Sequence, residues 1–362
     1  YKMAELLKNL YNQNYIKLLS NEIKSFYSEF DSLGFATNIF NENWDDKELK
    51  QRMRHISIVL GDFLPNDYTQ SIEILKDSFS RLNHSYGLEN MIFQDYVEVY
   101  GLDNFKVSMK ALEHFTNKCS SEFTIRQFIL KYPKETMAQM LVWARSSNHH
   151  VRRLASEGCR PRLPWAIALG DFKRNPSEVL IILEKLKDDE SEYVRKSVAN
   201  NINDISKDNP KIVKKLANSW IADNKNRDSL LKHGCRTLLK ASDKEVLNLF
   251  GFTHPETIEL NNFEITSNVK MGEELLFSFL INSKKELGKL RVEYAVDFLR
   301  KNGSHNTKVF KISEGVFTQN EKIISKKYSF KAISTRAYYK GQQKLSIIIN
   351  GIVFAEKEFT LS

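Results

Sequence analysis

Residues 119–174 hold the side chains best suited to chemistry. Two runs are informative: Ser120-Ser121-Glu122-Phe123-Thr124-Ile125-Arg126, and Ser156-Glu157-Gly158-Cys159-Arg160-Pro161-Arg162-Leu163-Pro164-Trp165. They supply two carboxylates, Glu122 and Glu157, and one tryptophan, Trp165. Carboxylates can stabilise a developing cation or hold a nucleophilic water, and an indole ring can lie against a cationic group.

Each of these residues also has an ordinary structural interpretation. Glu122 and Arg126 are four positions apart, as are Arg153 and Glu157, so both carboxylates could form ion pairs worth about 0.3–0.5 kcal/mol. Trp165 could be a packing anchor.

The position of Glu157 favours function. It precedes Gly158, a residue suited to end a helix. A carboxylate in the last turn opposes the helix dipole, so this placement is mildly unfavourable for folding alone.

The sequence lacks the motifs that other catalytic mechanisms require. Gly288-Lys289 lacks the upstream glycine and the Ser/Thr of a phosphate-binding loop, and no Gly-x-Ser-x-Gly elbow occurs. His149-His150 followed by Cys159 is the nearest approach to a metal cluster, but adjacent helical side chains point about 100° apart. We therefore expect no metal and no cofactor, and a hydrolase would have to use carboxylates and aromatic side chains.

The basic charge is concentrated in part of the chain. The net charge is +9, from 54 Lys+Arg and 45 Asp+Glu. Residues 122–174 carry ten basic and four acidic side chains, whereas residues 1–121 carry 13 and 17. An acidic end followed by a basic stretch predicts a surface for a polyanion. The alternative is a solvated basic face without a partner.

Length and composition indicate a folded cytoplasmic protein. The 362 residues predict two or three domains, and 41% hydrophobic with 27% charged residues is a globular composition. No apolar run approaches the ~18–20 residues of a membrane span, and residues 1–5 lack the apolar stretch of a secretory signal. The three cysteines are odd in number and far apart, which predicts reduced thiols.

Residues 1–252 are expected to form helices, from apolar spacing such as Leu6, Leu7, Leu10 and Tyr11. An apolar residue followed by arginine recurs as Ile125-Arg126, Val151-Arg152, Val194-Arg195 and Cys235-Arg236. The last two intervals, 43 and 41 residues, match the ~40–47-residue period of HEAT-type helix pairs. Such pairs stack into a superhelical solenoid, whose concave surface the arginines would line. Alternatively, each arginine pairs with an acidic neighbour.

Residues 253–362 are expected to form strands. Alternation of period two runs through 276–280, 290–296 and 345–349, and Asn350-Gly351 is a strong hairpin signal. About seven strands in ~110 residues predict an immunoglobulin-like sandwich. The predicted fold is mainly α: a HEAT-like α-α superhelical solenoid over 1–252 with an appended all-β immunoglobulin-like sandwich over 253–362.

The two runs in residues 119–174 resemble the AlkC branch of the bacterial AlkC/AlkD-like DNA alkylation-repair glycosylases. The shared pattern is Ser-Ser-Glu-Phe-x-Ile-Arg and Ser-Glu-Gly-x-Arg-Pro-Arg-Leu-Pro-Trp. The opening residues 6–12 look like the first helix of that branch. A HEAT-like body followed by an immunoglobulin-like domain is also known in it, so the resemblance covers the whole chain.

The resemblance implies a monofunctional glycosylase that removes cationic bases such as 3-methyladenine and 3-methylcytosine from duplex DNA without flipping the base into a pocket. By motif position it implies catalytic roles for Glu122, Glu157 and Trp165. A base alkylated on a ring nitrogen leaves as a neutral molecule, while the deoxyribose gains oxocarbenium character. Two carboxylates then suffice, one near the sugar cation and one holding the water. No lysine nucleophile is indicated, so we expect no lyase step.

Basic side chains are expected to hold the DNA backbone, because carboxylates near DNA repel its phosphates. The candidates are Arg126, Arg152, Arg153, Arg160, Arg162, Lys173, Arg174, Arg195, Lys196 and Arg236. We expect a monomer in the bacterial cytoplasm, associated with the nucleoid when bound to alkylated duplex DNA.

Two alternatives stay open at this point. One is a non-catalytic HEAT-repeat scaffold that binds DNA or protein, which would lack a pair of carboxylates on its concave face. The other is a DNA-structure binder that has kept the fold and lost catalysis, which would bind without turnover.

Overall fold

A computed structural model describes residues 6–82, 87–221, 224–333 and 336–362. Residues 1–5, on which the expected lack of a secretory signal rests, lie outside these ranges. Among the helices within them, none is long and apolar enough to cross a membrane.

The chain divides into two compact units. The first comprises residues 1–209 and 222–234, and the second comprises 210–221 and 235–362. Helices give way to strands between Leu249 and Ile258. The predicted boundary at 252/253 lies close to this change of secondary structure. By packing, however, two short helical segments, residues 210–221 and 235–249, belong to the unit that contains the strands.

The first unit is built from helices in its described part. They are α1 (Gln13–Phe26), α2 (Ser32–Ile39), α3 (Leu49–Phe63), α4 (Tyr68–Arg81), α5 (Met91–Tyr100), α6 (Phe105–Thr116), α7 (Ile125–Lys131), α8 (Pro133–Trp143), α9 (His149–Gly158), α10 (Gly170–Arg174), α11 (Ser177–Leu186), α12 (Glu192–Ser206) and α14 (Lys225–Gly234), with 3-10 turns at Leu7–Leu10 and Leu88–Asn90. α9 is central to the site, because it packs against α6, α8, α11 and α12.

The recurring apolar-arginine pair has a structural role. The apolar member is buried in all four copies, Ile125, Val151, Val194 and Cys235. Arg152 and Arg195 each donate through Nη1 to the two carbonyls six and five residues earlier, at 2.6–3.0 Å. These acceptors lie just before the helix that carries the arginine, so both arginines fasten the preceding turn to that helix. The side chains of Arg126 and Arg152 are enclosed, so these two copies do not contribute to the open row of arginines that the sequence predicts on the concave surface.

The second unit combines three helices with eight strands in its described part. The elements are α13 (Pro210–Trp220), α15 (Arg236–Lys240), α16 (Lys244–Leu249), β1 (Ile258–Ile265), β2 (Asn268–Val269), β3 (Glu274–Ser283), β4 (Gly288–Leu299), β5 (His305–Phe317), β6 (Glu321–Ser329), β7 (Gly341–Ile349) and β8 (Ile352–Leu361). One sheet has the order β1-β3-β6 and the other β2-β8-β7-β4-β5. Their apolar faces share one core that includes Phe277, Phe279, Val292 and Ile347.

The Asn350-Gly351 turn confirms the predicted hairpin. Ile349 pairs with Ile352, and Asn350 and Gly351 have φ of +46° and +80°. These angles are those of a type I′ turn, which Asn-Gly favours because both residues tolerate the left-handed region.

Candidate active site

A cavity of about 380 Å³ in the first unit brings together the three residues expected to be catalytic. Glu122, Glu157 and Trp165 all line it. Its walls come from α3, the start of α5, the turn before α7, one face of α9 and the loop that follows α9. A concave site with converging polar groups is the usual form of a ligand site.

Glu157 is held rigidly in the last turn of α9. Its side chain is 5% exposed. Oε1 accepts from Arg160 Nη1 at 2.6 Å and lies 3.4 Å from Arg153 Nη2, while Oε2 accepts from Ser197 Oγ at 2.6 Å. Two cations and a hydroxyl therefore offset the unfavourable position of this carboxylate at a helix C-terminus.

Glu122 lies in the turn before α7 and is less constrained. Its Oε2 accepts from Arg153 Nη1 at 2.6 Å, and its side chain is 16% exposed. Among the described residues, none donates a hydrogen bond to Oε1. The ion pair with Arg126 considered from the sequence is wrong, because Arg153 from α9 takes that place.

Arg153 joins the two carboxylates. One guanidinium contacts both Glu122 and Glu157, and the ring of Tyr193 lies 4.8 Å from its Cζ. Burial lowers the pKa of Arg153, but the two carboxylates outweigh burial and raise it above its usual value. The site therefore combines two negative charges with one fixed positive charge between them.

Trp165 presents its side chain to solvent from a strained backbone. It is 65% exposed and has φ of +63°. The left-handed region is unfavourable for a bulky side chain, at a cost of about 1–3 kcal/mol. Its carbonyl accepts a hydrogen bond from Lys50 Nζ. A large exposed ring held at this cost is poorly explained as a packing anchor.

Arg126 supports the end of α9 and the loop that follows it, on both sides of Trp165. It is 0% exposed, and its guanidinium donates to the carbonyls of Gly158, Arg160 and Ile167 at 2.8–2.9 Å. Burial lowers its pKa to about 10. The predicted contact between Arg126 and DNA is therefore wrong, because the side chain is enclosed and serves the backbone of this loop.

Gly158 is required for close packing. A Cβ at this position would lie 2.6 Å from Ile125 Cγ2 and 2.8 Å from Met140 Cε. α9 does end here, as expected, but the glycine lets the last turn carrying Glu157 approach α7 and α8.

Comparison with known proteins shows which family the chain resembles. Residues 113–238 match the family described as "DNA alkylation repair enzyme", and residues 259–362 match "Uncharacterised protein YhaZ, C-terminal Ig-like domain". YhaZ of Bacillus subtilis (strain 168) is 44% identical over 359 residues, 99% of each chain. The structure of the Pseudomonas fluorescens alkylpurine DNA glycosylase AlkC bound to DNA containing an abasic site analog is 34% identical, with a TM-score of 0.94 over 99% of this chain and 100% of that one.

The chain belongs to the AlkC branch of the DNA alkylation-repair glycosylases. It is therefore a hydrolase of the DNA-glycosylase class. The predicted solenoid with an appended immunoglobulin-like sandwich is confirmed.

Two further arginines of this AlkC-type chain are turned inward. Arg152 uses all its N–H groups on Asp189, Glu190 and the carbonyls of the preceding turn. Arg160 is buried and donates to Glu157 and, at 2.8 Å, to Asp204. The structure contradicts the predicted DNA contacts of both, because their guanidinium groups are committed to ion pairs within the protein.

The other predicted DNA ligands are more accessible and stay predictions. Arg162, Arg174 and Lys196 are exposed, and each pairs with an acidic residue of the chain, Asp208, Asp171 and Glu192 respectively. Lys173 and Arg195 are half-buried. Arg236 begins α15 in the second unit, outside the unit that contains the cavity.

The sequence does not identify several side chains of the site. Lys50 lines the cavity from α3, with Nζ 4.5 Å from the ring centroid of Phe123, and burial lowers its pKa. Tyr193 and Ser197 reach Arg153 and Glu157 from α12. Tyr193 and Ser197 have a sequence signal, because both flank the Val194-Arg195 copy of the repeat, whereas Lys50 belongs to no motif.

Metal ligands do not converge in the described part of the chain, where no group of three or more His, Cys, Asp or Glu could hold an ion.

The expectation that the side chains of His149 and His150 point in different directions is wrong. Their ring centroids lie 4.2 Å apart, and both rings contact Tyr193.

Proposed function

We propose that this chain is a monofunctional DNA glycosylase that hydrolyses the N-glycosidic bond of cationic alkylated bases, of the 3-methyladenine and 3-methylcytosine type, in duplex DNA. It acts as a monomer and without flipping the base. The observation that carries the proposal is the convergence of Glu122, Glu157 and the exposed ring of Trp165 on one cavity, with Arg153 between the carboxylates.

The chemistry needs no general acid for the leaving group. A base alkylated on a ring nitrogen already carries positive charge, so the C1′–N bond breaks with its electron pair passing to a base that leaves neutral. The sugar gains oxocarbenium character, and the oxygen of water then bonds to C1′. Negative charge beside the sugar lowers the barrier to this step. Unmodified bases lack the charge, so selectivity follows from reactivity.

The two carboxylates have different tasks. Both oxygens of Glu157 are engaged, so it acts as a fixed charge that stabilises the sugar cation. Glu122 is bonded through Oε2 and is the more exposed of the two, so its Oε1 orients the attacking water and takes its proton. Positions fixed in advance cost no reorganisation during the reaction.

Trp165 provides the aromatic surface of the site. Its exposed ring lies at the rim of the same cavity and is suited to contact the cationic nucleotide. A cation over an indole face is worth about 0.5–2 kcal/mol. The left-handed backbone and the bond from Lys50 fix the direction of the ring.

Duplex DNA is the expected partner. The similar Pseudomonas protein is bound to DNA containing an abasic site analog, which supports DNA as the macromolecular ligand here. The exposed basic residues Arg162, Arg174 and Lys196 would exchange their present acidic partners for phosphates. Such contacts position the protein without reading sequence.

Base release from methylated duplexes tests the proposal. Under single turnover, the wild-type chain should liberate 3-methyladenine and 3-methylcytosine, leave an intact abasic strand and spare unmodified DNA. Borohydride should trap no covalent adduct, because the ring of Phe123 and the carbonyl of Trp165 hold the Lys50 ammonium. Binding of methylated DNA without release of any base would overturn the proposal and support a non-catalytic binder.

A further inference from the structure

A buried serine of α12 makes its hydrogen bond to a different helix. Ser197 is 2% exposed, and its Oγ donates to Oε2 of Glu157, in the last turn of α9, at 2.6 Å. A serine inside a helix commonly bonds the carbonyl one turn earlier. Ser20, Ser78 and Ser206 do so here, at 2.7–2.8 Å. Because Ser197 gives its hydrogen to α9 instead, its hydroxyl serves the carboxylate rather than its own helix.

A second serine fixes the direction of this hydrogen bond. Oγ of Ser156, which is 0% exposed, lies 2.6 Å from Oγ of Ser197. A carboxylate only accepts hydrogen bonds, so the Ser197 hydrogen points to Glu157 and the Ser156 hydrogen points to Ser197. The other acceptor of Ser156, the carbonyl of Arg153, is more distant, at 3.1 Å. Hydrogen bonds in such a chain polarise one another, which strengthens the bond to the carboxylate.

Ser197 belongs to a row of α12 side chains that contact the last turns of α9. The ring of Tyr193, four residues earlier, lies 4.8 Å from Cζ of Arg153. Asn201, four residues later, donates through Nδ2 to the carbonyl of Ser156 at 2.8 Å. Residues four apart lie on one face of a helix. The row therefore holds both the side chains and the backbone of the last turns of α9.

The two oxygens of Glu157 have different kinds of partner. Oε1 lies beside the guanidinium groups of Arg153 and Arg160, whereas the hydroxyl of Ser197 is the donor to Oε2. Without that hydroxyl, only the two guanidinium groups would direct the carboxylate, which would be free to rotate toward them. A carboxylate that rotates in this way is no longer preorganised for charge that develops in the cavity.

We propose that Ser197 is a positioning residue for the hydrolysis, which fixes the plane of the Glu157 carboxylate beside the sugar as the sugar becomes cationic. The inference rests on the proposed function, because the orientation of Glu157 matters only if Glu157 stabilises the sugar. Ser197 is not among the described residues that line the cavity, so it acts through Glu157. It affects the rate at which the bond breaks and leaves DNA binding unchanged.

Single-turnover excision of 3-methyladenine separates the rate from binding. Ser197→Ala should lower the rate at saturating enzyme about tenfold, the effect of one lost hydrogen bond to a charged group, and should leave the Kd for a duplex containing an abasic site analog within about twofold. Ser197→Thr keeps a hydroxyl and should recover most of the rate. Ser206→Ala is the matched control, because Ser206 is also 2% exposed on α12 but bonds the carbonyl of Asn203. The control should excise as the wild type does.

A double-mutant cycle distinguishes positioning from general stabilisation of the fold. Ser197→Ala should slow the wild-type chain about tenfold but slow Glu157→Gln less than about twofold, because the charge on which Ser197 acts is then absent. Equal slowing in both backgrounds would overturn the proposal, as would a wild-type rate for Ser197→Ala.

Ser156→Ala is the second variant if the melting temperature shows that Ser197→Ala folds poorly. It removes the hydroxyl that directs Ser197 without touching Glu157, so it should slow excision about threefold in the wild-type background and leave Glu157→Gln unchanged. A wild-type rate for Ser156→Ala would then overturn the proposal.

The two proposals fail separately. If Glu157→Gln is slow and Ser197→Ala excises as the wild type does, the proposed glycosylase stands and the positioning role is lost. If Glu157→Gln excises as the wild type does, or if the wild-type chain releases no base, both proposals are lost.

Discussion

Replacing Arg153 by methionine should destabilise the fold and slow base excision. Arg153 contacts both carboxylates, at 2.6 Å to Glu122 and 3.4 Å to Glu157. At an effective dielectric constant of 20, a charge pair about 4 Å apart interacts by about 4 kcal/mol before desolvation is subtracted. Without this guanidinium, the two carboxylates would face each other with no cation between them.

The expected result is a loss of about 3–5 kcal/mol of unfolding free energy, because removing one partner of a buried ion pair leaves buried charge uncompensated. Single-turnover excision, measured below the melting transition, should also become slower, because the guanidinium no longer holds the two carboxylates in position.

Arg153→Lys is the matched control. Lysine keeps a positive charge near the two carboxylates but cannot bridge them with a planar fork, so it should recover most of the stability and only part of the rate. An unfolding free energy and an excision rate of Arg153→Met that both match those of the wild type would refute the electrostatic coupling of Glu122 and Glu157.

Three further expectations concern other parts of the structure. Trp165→Gly should relieve the left-handed strain and raise the melting temperature while slowing excision about tenfold. A lower melting temperature together with slower excision would instead indicate that the ring has a packing role. Gly158→Ala should lower the unfolding free energy by about 1–3 kcal/mol, because its Cβ overlaps Ile125 and Met140, and urea melts that match the wild type would contradict this packing. Burial, with smaller effects from its neighbours, lowers the pKa of His114, so the folded chain resists protonation of this ring and stability should fall as the pH drops below about 6.5. His114→Gln should flatten that slope, and an unchanged slope would exclude His114 as its origin.

Local patterns predicted the fold well because they act over short distances. The alternation in residues 345–349 and the Asn350-Gly351 turn appear as β7 and its hairpin, since strand period and turn chemistry are local properties. The same holds for the buried apolar residues of the repeat. Glu122 and Glu157 were identified by motif, but only the packing of α9 beside the turn before α7 explains why they face one cavity.

The basic residues were harder to predict because spacing does not determine burial. Arg126 has the sequence context of Arg195, yet it is enclosed and bonded to three carbonyls. Lys50 reaches the carbonyl of Trp165 across 115 positions. Contacts between residues so far apart in the sequence depend on how the helices stack, so no local sequence pattern predicts them.

The most direct measurement is excision of 3-methyladenine by Glu122→Gln and by Glu157→Gln under single turnover. Each change removes one negative charge at nearly constant volume, and duplex binding by both variants verifies that they are folded. We expect each variant to lose about 100-fold or more in rate. A wild-type rate in either variant would contradict the claim that a pair of carboxylates drives the departure of a cationic base.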